Sequence, residues 1–175
     1  MKQAHSMPKC LVIDSSIIIL LDRKGKLKDF LKQKTKENYK LIIPEAIARE
    51  LINEPKELAQ EIIEASPILA NKILGSATRI QAAIDQGLIE VQEVDYRKYS
   101  KVMDNTRRQL SKIDGTTEDS VKKGDPEVIA LVIQLYDKTK EKVFIATLDK
   151  GLLRALGSNA RNTLYEVLED SNKPF

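Results

Sequence analysis

The sequence predicts an α/β protein in three layers, with helices on both faces of a central, mostly parallel sheet. Three observations carry this reading. Short apolar, β-branched runs alternate with longer helical patterns from residue 9 to about residue 168, and strands separated by helices form parallel units with crossover connections. The first run, "KCLVID", is short, apolar and β-branched, as buried strands are. Two apolar strand-like runs, "LVID" and "VFIATLD", carry an aspartate at their ends, and in such sheets the functional crevice lies outside the carboxyl ends of the strands.

"KCLVID" (9–14) is the first strand, and "SSIIILLDRKG" continues as a helix with Gly25 near its end. "KLKDFLKQKTKENY" is an amphipathic helix, with Leu27, Phe30 and Leu31 at helical spacing and lysines on the other face. "KLIIP" is the second strand. "PEAIARELINEP" is then a helix with Pro44 at its first position and Pro55 limiting its far end. "KELAQEIIEAS" and "PILANKILGSATRIQAAIDQG" follow as helical pieces, with Gly87 as a C-cap residue. "LIEVQEV" is a third strand whose alternation suits an edge or less buried position. "DYRKYSKVMDNTRRQLSKI" is a basic helix with Tyr96, Tyr99, Val102, Met103 and Leu110 on its apolar side. "DGTTEDSVKKG" is a polar loop, the segment expected to be most mobile. "DPEVIALVIQLYDKTK" is a strongly apolar helix, "KVFIATLD" a strand, "KGLLRALG" a short helix and "TLYEVLED" the last strand.

A chain of 175 residues suits one domain, 9–175, preceded by a flexible tail over residues 1–8, either native or left over from expression. Apolar residues at 42% are enough for a globular core, and a net charge of +3 permits a nucleic-acid partner without requiring one. No apolar run approaches the length that spans a bilayer, and the start "MKQAHSMPKC" lacks the apolar stretch of a secretory signal. The single cysteine, Cys10, cannot form an internal disulfide, so the expected setting is a reducing cytoplasm, away from membranes. Tryptophan is absent and aromatics are 5%, which argues against a platform for stacking single-stranded bases.

Four carboxylates fall at the sheet edge where such a fold places a site. Asp14 ends the first strand, Asp149 ends "VFIATLD", Asp125 opens the apolar helix, and Glu50 lies inside the helix after the second strand. Each has a plain structural alternative. Asp14 before Ser15 and Ser16 is a good N-cap. Asp125 before Pro126 suits a cap with proline at the first helical position. Asp149 before "KGLL" suits a turn or cap, and Glu50 a solvated helix face, although Ile47 three residues earlier puts it beside the apolar stripe. The combination is harder to explain in this way. Crowded carboxylates repel one another and take up protons unless a cation offsets the charge. Hard oxygens with no histidine or cysteine among them suit Mg²⁺ or Mn²⁺ rather than zinc. The one histidine, His5, is in the tail, so histidine acid–base or histidine–metal chemistry is not expected. Cys10 lies within the first strand and reads as core rather than nucleophile.

The segments "LVIDSSIII", "IIPEAIARELI", "GDPEVIALVIQL" and "VFIATLDKGLLRAL", in this order and spacing, resemble the motifs of PIN-domain proteins, which are metal-dependent ribonucleases. The resemblance covers about residues 9–168 and implies a PIN-like, Rossmann-like three-layer α/β/α sandwich. It implies that Asp14, Glu50, Asp125 and Asp149 are the catalytic, metal-holding set, with Mg²⁺ or Mn²⁺ as cofactor. Ser16 and Thr147 match positions that are often polar in the family and would orient carboxylates or waters. Glu127 and Asp22 are further acidic residues that could supplement or replace a ligand. The middle of the chain, 54–113, is longer than in the smallest toxin-type members, which favours a larger archaeal or housekeeping type. The implied reaction is hydrolysis of RNA phosphodiester bonds by metal-activated water, leaving a 5′-phosphate and a 3′-hydroxyl.

A polyanionic substrate must be met by cations. Arg107, Arg108 and Lys112 stand together on the basic helix, Lys122, Lys123 and Lys150 adjoin the assigned carboxylates in sequence, and Arg23, Lys24, Lys26 and Lys28 form a second set. The alternative for any one of them is an ordinary solvated surface. Expected partners are RNA, a second copy of the chain, and a protein such as a ribosome-processing factor or an antitoxin. The competing reading is a PIN-like module that binds RNA or takes part in assembly with little or no cleavage. A receiver-type phosphoacceptor would want an acidic pair after the first strand, where serines stand. "KIDGTT" is similar to the haloacid-dehalogenase nucleophile motif, but Lys112 occupies the nucleophile's place and no clear strand precedes it.

Overall fold

The apolar runs form the strands β1 (Lys9–Ile13), β2 (Tyr39–Pro44), β3 (Glu90–Gln92), β4 (Val143–Ala146) and β5 (Tyr165–Val167). They make a five-stranded sheet in the order β3-β2-β1-β4-β5, and each neighbouring pair is parallel. The computed structural model describes residues 6–168. His5 and the end of "TLYEVLED" lie outside the described residues, and Ser6 accepts a hydrogen bond from the Asn38 side chain at 3.0 Å.

β1 sits at the centre, and Leu11, Val12 and Ile13 are wholly buried. From β1 the chain builds outward to β2 and β3 on one side, then returns to add β4 and β5 on the other. The loops after β1 and β4 therefore diverge, and a crevice opens between them at the carboxyl edge. The faces are covered by α1 (Ser15–Arg23), α2 (Leu27–Lys36), α3 (Glu45–Ala48), α4 (Glu54–Ile62), α5 (Pro67–Asp85), α6 (Tyr96–Asp114), α7 (Gly124–Thr139) and α8 (Lys150–Asn159). α7 packs on β1, β2 and β4, with Val128 to Val132 fully buried, as a helix apolar on most sides must be. Among the described residues no helix is long and apolar enough to cross a membrane.

The two prolines of the second crossover behave differently from the sequence expectation. Pro44 is the last residue of β2, with an extended ψ of 161°, and not the first helical residue. Pro55 does not end the helix, because α3 runs through a π turn, Arg49–Asn53, into α4. A regular helix reaching Pro55 would lose the bond to the Leu51 carbonyl and press the ring against it. The wider turn leaves Pro55 in the first turn of α4, where its missing N–H is not needed. This turn also carries Glu50.

Three smaller differences bear on the site. β4 stops at Ala146, so Asp149 lies in the connection to α8 rather than at the strand end. The polar loop before α7 contains a 3₁₀ turn, Glu118–Ser120. Tyr96 does not join the apolar side of α6: it is 48% exposed, and its hydroxyl donates to Glu127. Cys10 is half-buried against the core, and burial pushes its thiol pKa up, which disfavours the nucleophilic thiolate.

Candidate active site at the carboxyl edge

β1 carries Asp14 one residue past the strand, where its N–H donates to the Ala146 carbonyl at 3.0 Å. The β1–β4 pairing thus extends to the residue that bears the carboxylate. Asp14 occupies the position before α1, yet its side chain makes no capping bond. Its Oδ2 instead accepts from Ser16 Oγ at 2.9 Å and from Thr147 Oγ1 at 2.8 Å. Each hydroxyl also accepts from a backbone amide, Leu148 N–H to Ser16 at 3.1 Å and Asp149 N–H to Thr147 at 3.0 Å. Both hydroxyl protons are thereby aimed at the same carboxylate oxygen. Oδ1 has one long contact, from Ser15 Oγ at 3.5 Å, although Asp14 is only 2% exposed.

Asp149 enters from the other strand. Its Oδ1 accepts from Leu152 N–H at 3.1 Å, so the capping alternative holds for that oxygen. The site and the start of α8 share this residue, and a carboxylate at a helix N-terminus is favoured by the helix dipole.

Asp125 and Glu50 are placed by packing rather than by strand ends. α7 begins at Gly124, Lys123 holds the cap position, and Asp125 lies inside the first turn with its carboxylate turned to the cavity, so it is not a cap. A Cβ added to Gly124 would stand 2.5 Å from Ile47 Cδ1 and 3.0 Å from Glu50 Oε2. The start of α7 therefore rests closely against α3 and the π turn, and a larger residue at 124 would have to turn the Ile47 and Glu50 side chains aside. Lys122 Nζ lies 3.4 Å from Glu50 Oε1.

The four acids influence one another electrostatically. Burial, and after it the charges of Asp14, Asp149 and Glu50, push the Asp125 carboxyl up to about 7, with Lys122 opposing. Glu50 is also raised, by burial first, with Lys122 opposing and Asp14 and Glu54 adding to the rise. A cavity of about 400 Å³ is lined by Asp14, Asp125, Asp149 and Lys122, with Asp114 and Thr116 in its wall. Glu50 lines an adjoining cleft of about 570 Å³, and Ile19 lines both hollows.

Among the described residues no three carboxylate, imidazole or thiol groups converge as a ready-made metal cage. The donors still suit one kind of ion. They are all hard oxygens, their mutual repulsion is offset only in part by Lys122, and the cavity has room for an ion that keeps part of its water shell, as Mg²⁺ does.

The remaining sequence candidates fall elsewhere. Glu127 is buried with Oε2 accepting from Ala46 N–H at 2.8 Å and Oε1 from the Tyr96 hydroxyl, so it anchors α3 and α6. Burial and then the Glu127 carboxylate push the Tyr96 hydroxyl up to about 12. Asp22 accepts from Arg79 Nε and Ser76 Oγ, both at 2.7 Å. Burial alone would raise its pKa, but the bonds from Arg79 and Ser76 outweigh it and hold the carboxyl below its usual range. Of the six cations first expected near the site, Lys122 lines the carboxylate cavity, whereas Arg107, Arg108, Lys112, Lys123 and Lys150 do not. Arg107 pairs with Asp104 at 2.7 Å. Asp114 and Thr116 were not singled out by sequence reasoning, since an aspartate just before the left-handed Gly115 reads only as a turn signal.

A parallel five-stranded sheet flanked by helices, with carboxylates grouped at the point where strand order reverses, defines a PIN-like α/β/α sandwich. A family model described as the Halobacterial PIN domain matches residues 7–169, and the chain belongs to that family. PIN domains are generally nucleases. No curated protein and no solved structure matches the chain.

Proposed function

We propose that the protein is a Mg²⁺- or Mn²⁺-dependent endoribonuclease. The observation that carries this reading is the grouping of Asp14, Asp149, Asp125 and Glu50 around one cavity and its adjoining cleft, with the Asp125 carboxyl driven up to about 7 by burial and then by its acidic neighbours. Such a group of acids is stable at neutral pH when a cation neutralises it. A divalent ion held by Asp14 and Asp149, with Asp125 and Glu50 directly or through water, would polarise a phosphate oxygen and make a bound water more acidic.

The chain's own residues have separable tasks. Ser16 and Thr147 hold Asp14 through Oδ2 and keep it from rotating. The α8 N-terminus holds Asp149 through Oδ1. Lys122, now beside Glu50, reaches into the cavity where a substrate phosphate oxygen could take over its ammonium. In the reaction the water oxygen would bond to phosphorus as the P–O3′ bond breaks, one water proton would end on O3′ and the other on the phosphate or in solvent, leaving a 5′-phosphate and a 3′-hydroxyl.

The test is incubation of labelled structured and unstructured RNAs with the protein and Mn²⁺, beside Asp14→Asn, Asp149→Asn and an EDTA control. Cleavage by wild type that disappears in all three controls supports the reading, and equal cleavage by wild type and variants overturns it. The second reading, an RNA-binding or assembly module with weak or no nuclease activity, is favoured by the lack of a convergent three-ligand cage among the described residues. RNA binding without cleavage would establish it.

A further inference from the structure

We propose that the cleft between α1, the π turn and α5 is the track along which a single polynucleotide strand lies beside the carboxylate cavity, held by its backbone phosphates. The inference rests on the nuclease reading above and adds which face of the molecule takes the substrate. Ile19 lines both hollows and Glu50 lines the cleft, so the two spaces adjoin at the site. Among the described residues the carboxylate cavity is itself acidic, with Asp14, Asp114, Asp125 and Asp149 against Lys122 alone. A polyanion needs its cations from the surface next to it.

The cleft supplies them. Arg23 comes from the end of α1, and Lys72 and Arg79 come from α5. Its two carboxylates are already engaged, Glu50 with Lys122 at 3.4 Å and Asp22 with Arg79 at 2.7 Å. Arg23 and Lys72 are exposed, and neither is in an ion pair among the described residues. Arg79 is fixed by Asp22 through Nε and Nη2 while its side chain stays 60% exposed. A guanidinium already held in place loses less freedom on meeting a phosphate. Among the described residues no aromatic side chain lines the cleft, so binding here is by phosphate contact, tolerant of sequence and steeply salt-dependent. Arg107 and Arg108 line neither hollow.

The experiment is fluorescence anisotropy in EDTA, so that nothing is cut, with a labelled single-stranded RNA of about twelve nucleotides and a DNA of the same sequence. Wild type is compared with Arg23→Glu/Lys72→Glu, with the milder Arg23→Gln/Lys72→Gln, and with Lys36→Glu/Lys138→Glu, which makes the same charge change in the last turns of α2 and α7. The cleft reversal is expected to weaken binding at least about tenfold and to flatten the slope of log K against log salt by about 1.4, the share of two phosphate contacts on a single strand. The glutamine pair loses less in the same direction, the α2/α7 control stays within about twofold, and Mn²⁺ affinity by direct titration is unchanged. RNA and DNA should lose affinity alike, because the phosphates are common to both. Cleft variants that bind within about twofold of wild type, or a loss confined to one sugar, would overturn the inference. Wild type that cleaves RNA with the cleft variants unimpaired defeats the cleft alone, whereas wild type that neither binds nor cleaves RNA defeats the nuclease reading with it.

Discussion

The two halves of the acidic site are built by different means. Asp14 and its hydroxyl partners stand where adjacent parallel strands end, and their bonds link the connections after β1 and β4. Asp125 and Glu50 stand on a helix start and a π turn that meet where α7 packs onto α3 beside Gly124. In the first half Asp14 is fixed by hydrogen bonds. In the second half both acids are raised by burial and by their neighbours, and Lys122 is the cation that opposes this. On the metal-dependent reading proposed above, the contrast would be a division of labour in which the sheet edge supplies position and the packed turn supplies the pull for a cation.

The largest test of that division compares Asp14→Asn with Glu50→Gln. Loss of the positioned carboxylate is expected to lower Mn²⁺-dependent RNA cleavage roughly a thousandfold, equivalent to several kcal/mol of transition-state stabilisation. Glu50→Gln, which leaves the strand-edge half intact, should lower it by roughly ten- to a hundredfold. Single-turnover rates decide the matter, and equal losses would erase the distinction between the halves.

Thr147→Val probes the rigid half alone. The substitution keeps the shape but removes a donor to Asp14 Oδ2 and the acceptor for Asp149 N–H. Mn²⁺ affinity should fall roughly ten- to a hundredfold, the usual cost of losing a group that orients a ligand. Stability should fall by about 1–3 kcal/mol in urea titration, since a buried carboxylate loses a charge-assisted bond. Unaltered Mn²⁺ affinity would mean that Asp14 needs no such support.

Gly124→Ala probes the packed half. The new methyl would meet Ile47 Cδ1 at 2.5 Å, and overpacking of this kind costs about 1–3 kcal/mol. The predicted result is a lowered melting temperature together with a changed Lys122–Glu50 contact, while Mn²⁺ affinity falls less than in Thr147→Val. A variant as stable as wild type would show that the buried Ile47 side chain turns aside without cost and that the packing at Gly124 does not constrain this half.

The halves also differed in how legible they were in the sequence. Asp14 could be read because a buried strand ending in a carboxylate is a local pattern, and the same logic reached Asp149 even though β4 stops earlier at Ala146. Pro55 was read as a stop because proline ends regular helices. The π turn that accommodates it is not announced by residue type, so the setting of Glu50 was hidden with it. Asp125 resembled a cap because "DP" often begins a helix, and only the tertiary contact at Gly124 shows that the helix starts one residue earlier. Asp114 reaches the cavity from the end of α6 and Thr116 from the loop after it, and where that loop lies depends on what it packs against rather than on its own pattern.

The smallest predicted effect is also the most specific to the packed half. A carboxyl whose folded pKa exceeds its unfolded value stabilises the folded state while protonated. For Asp125 that contribution is full below its ordinary value of 3.8 and is lost as pH rises toward about 7. In metal-free protein the melting temperature of wild type should therefore fall relative to that of Asp125→Asn across this window, and the difference should level off above it. Asp22 acts in the opposite sense and at lower pH, because Arg79 and Ser76 depress its carboxyl, but it is present in both proteins and cancels in the difference. Added Mg²⁺ should raise the melting temperature more at pH 7.5 than at pH 5, because a cation competes better for a carboxylate than for a carboxylic acid. Parallel curves for wild type and Asp125→Asn would show that Asp125 does not feel the other three acids, and the packed half would then be no more strained than the sheet edge.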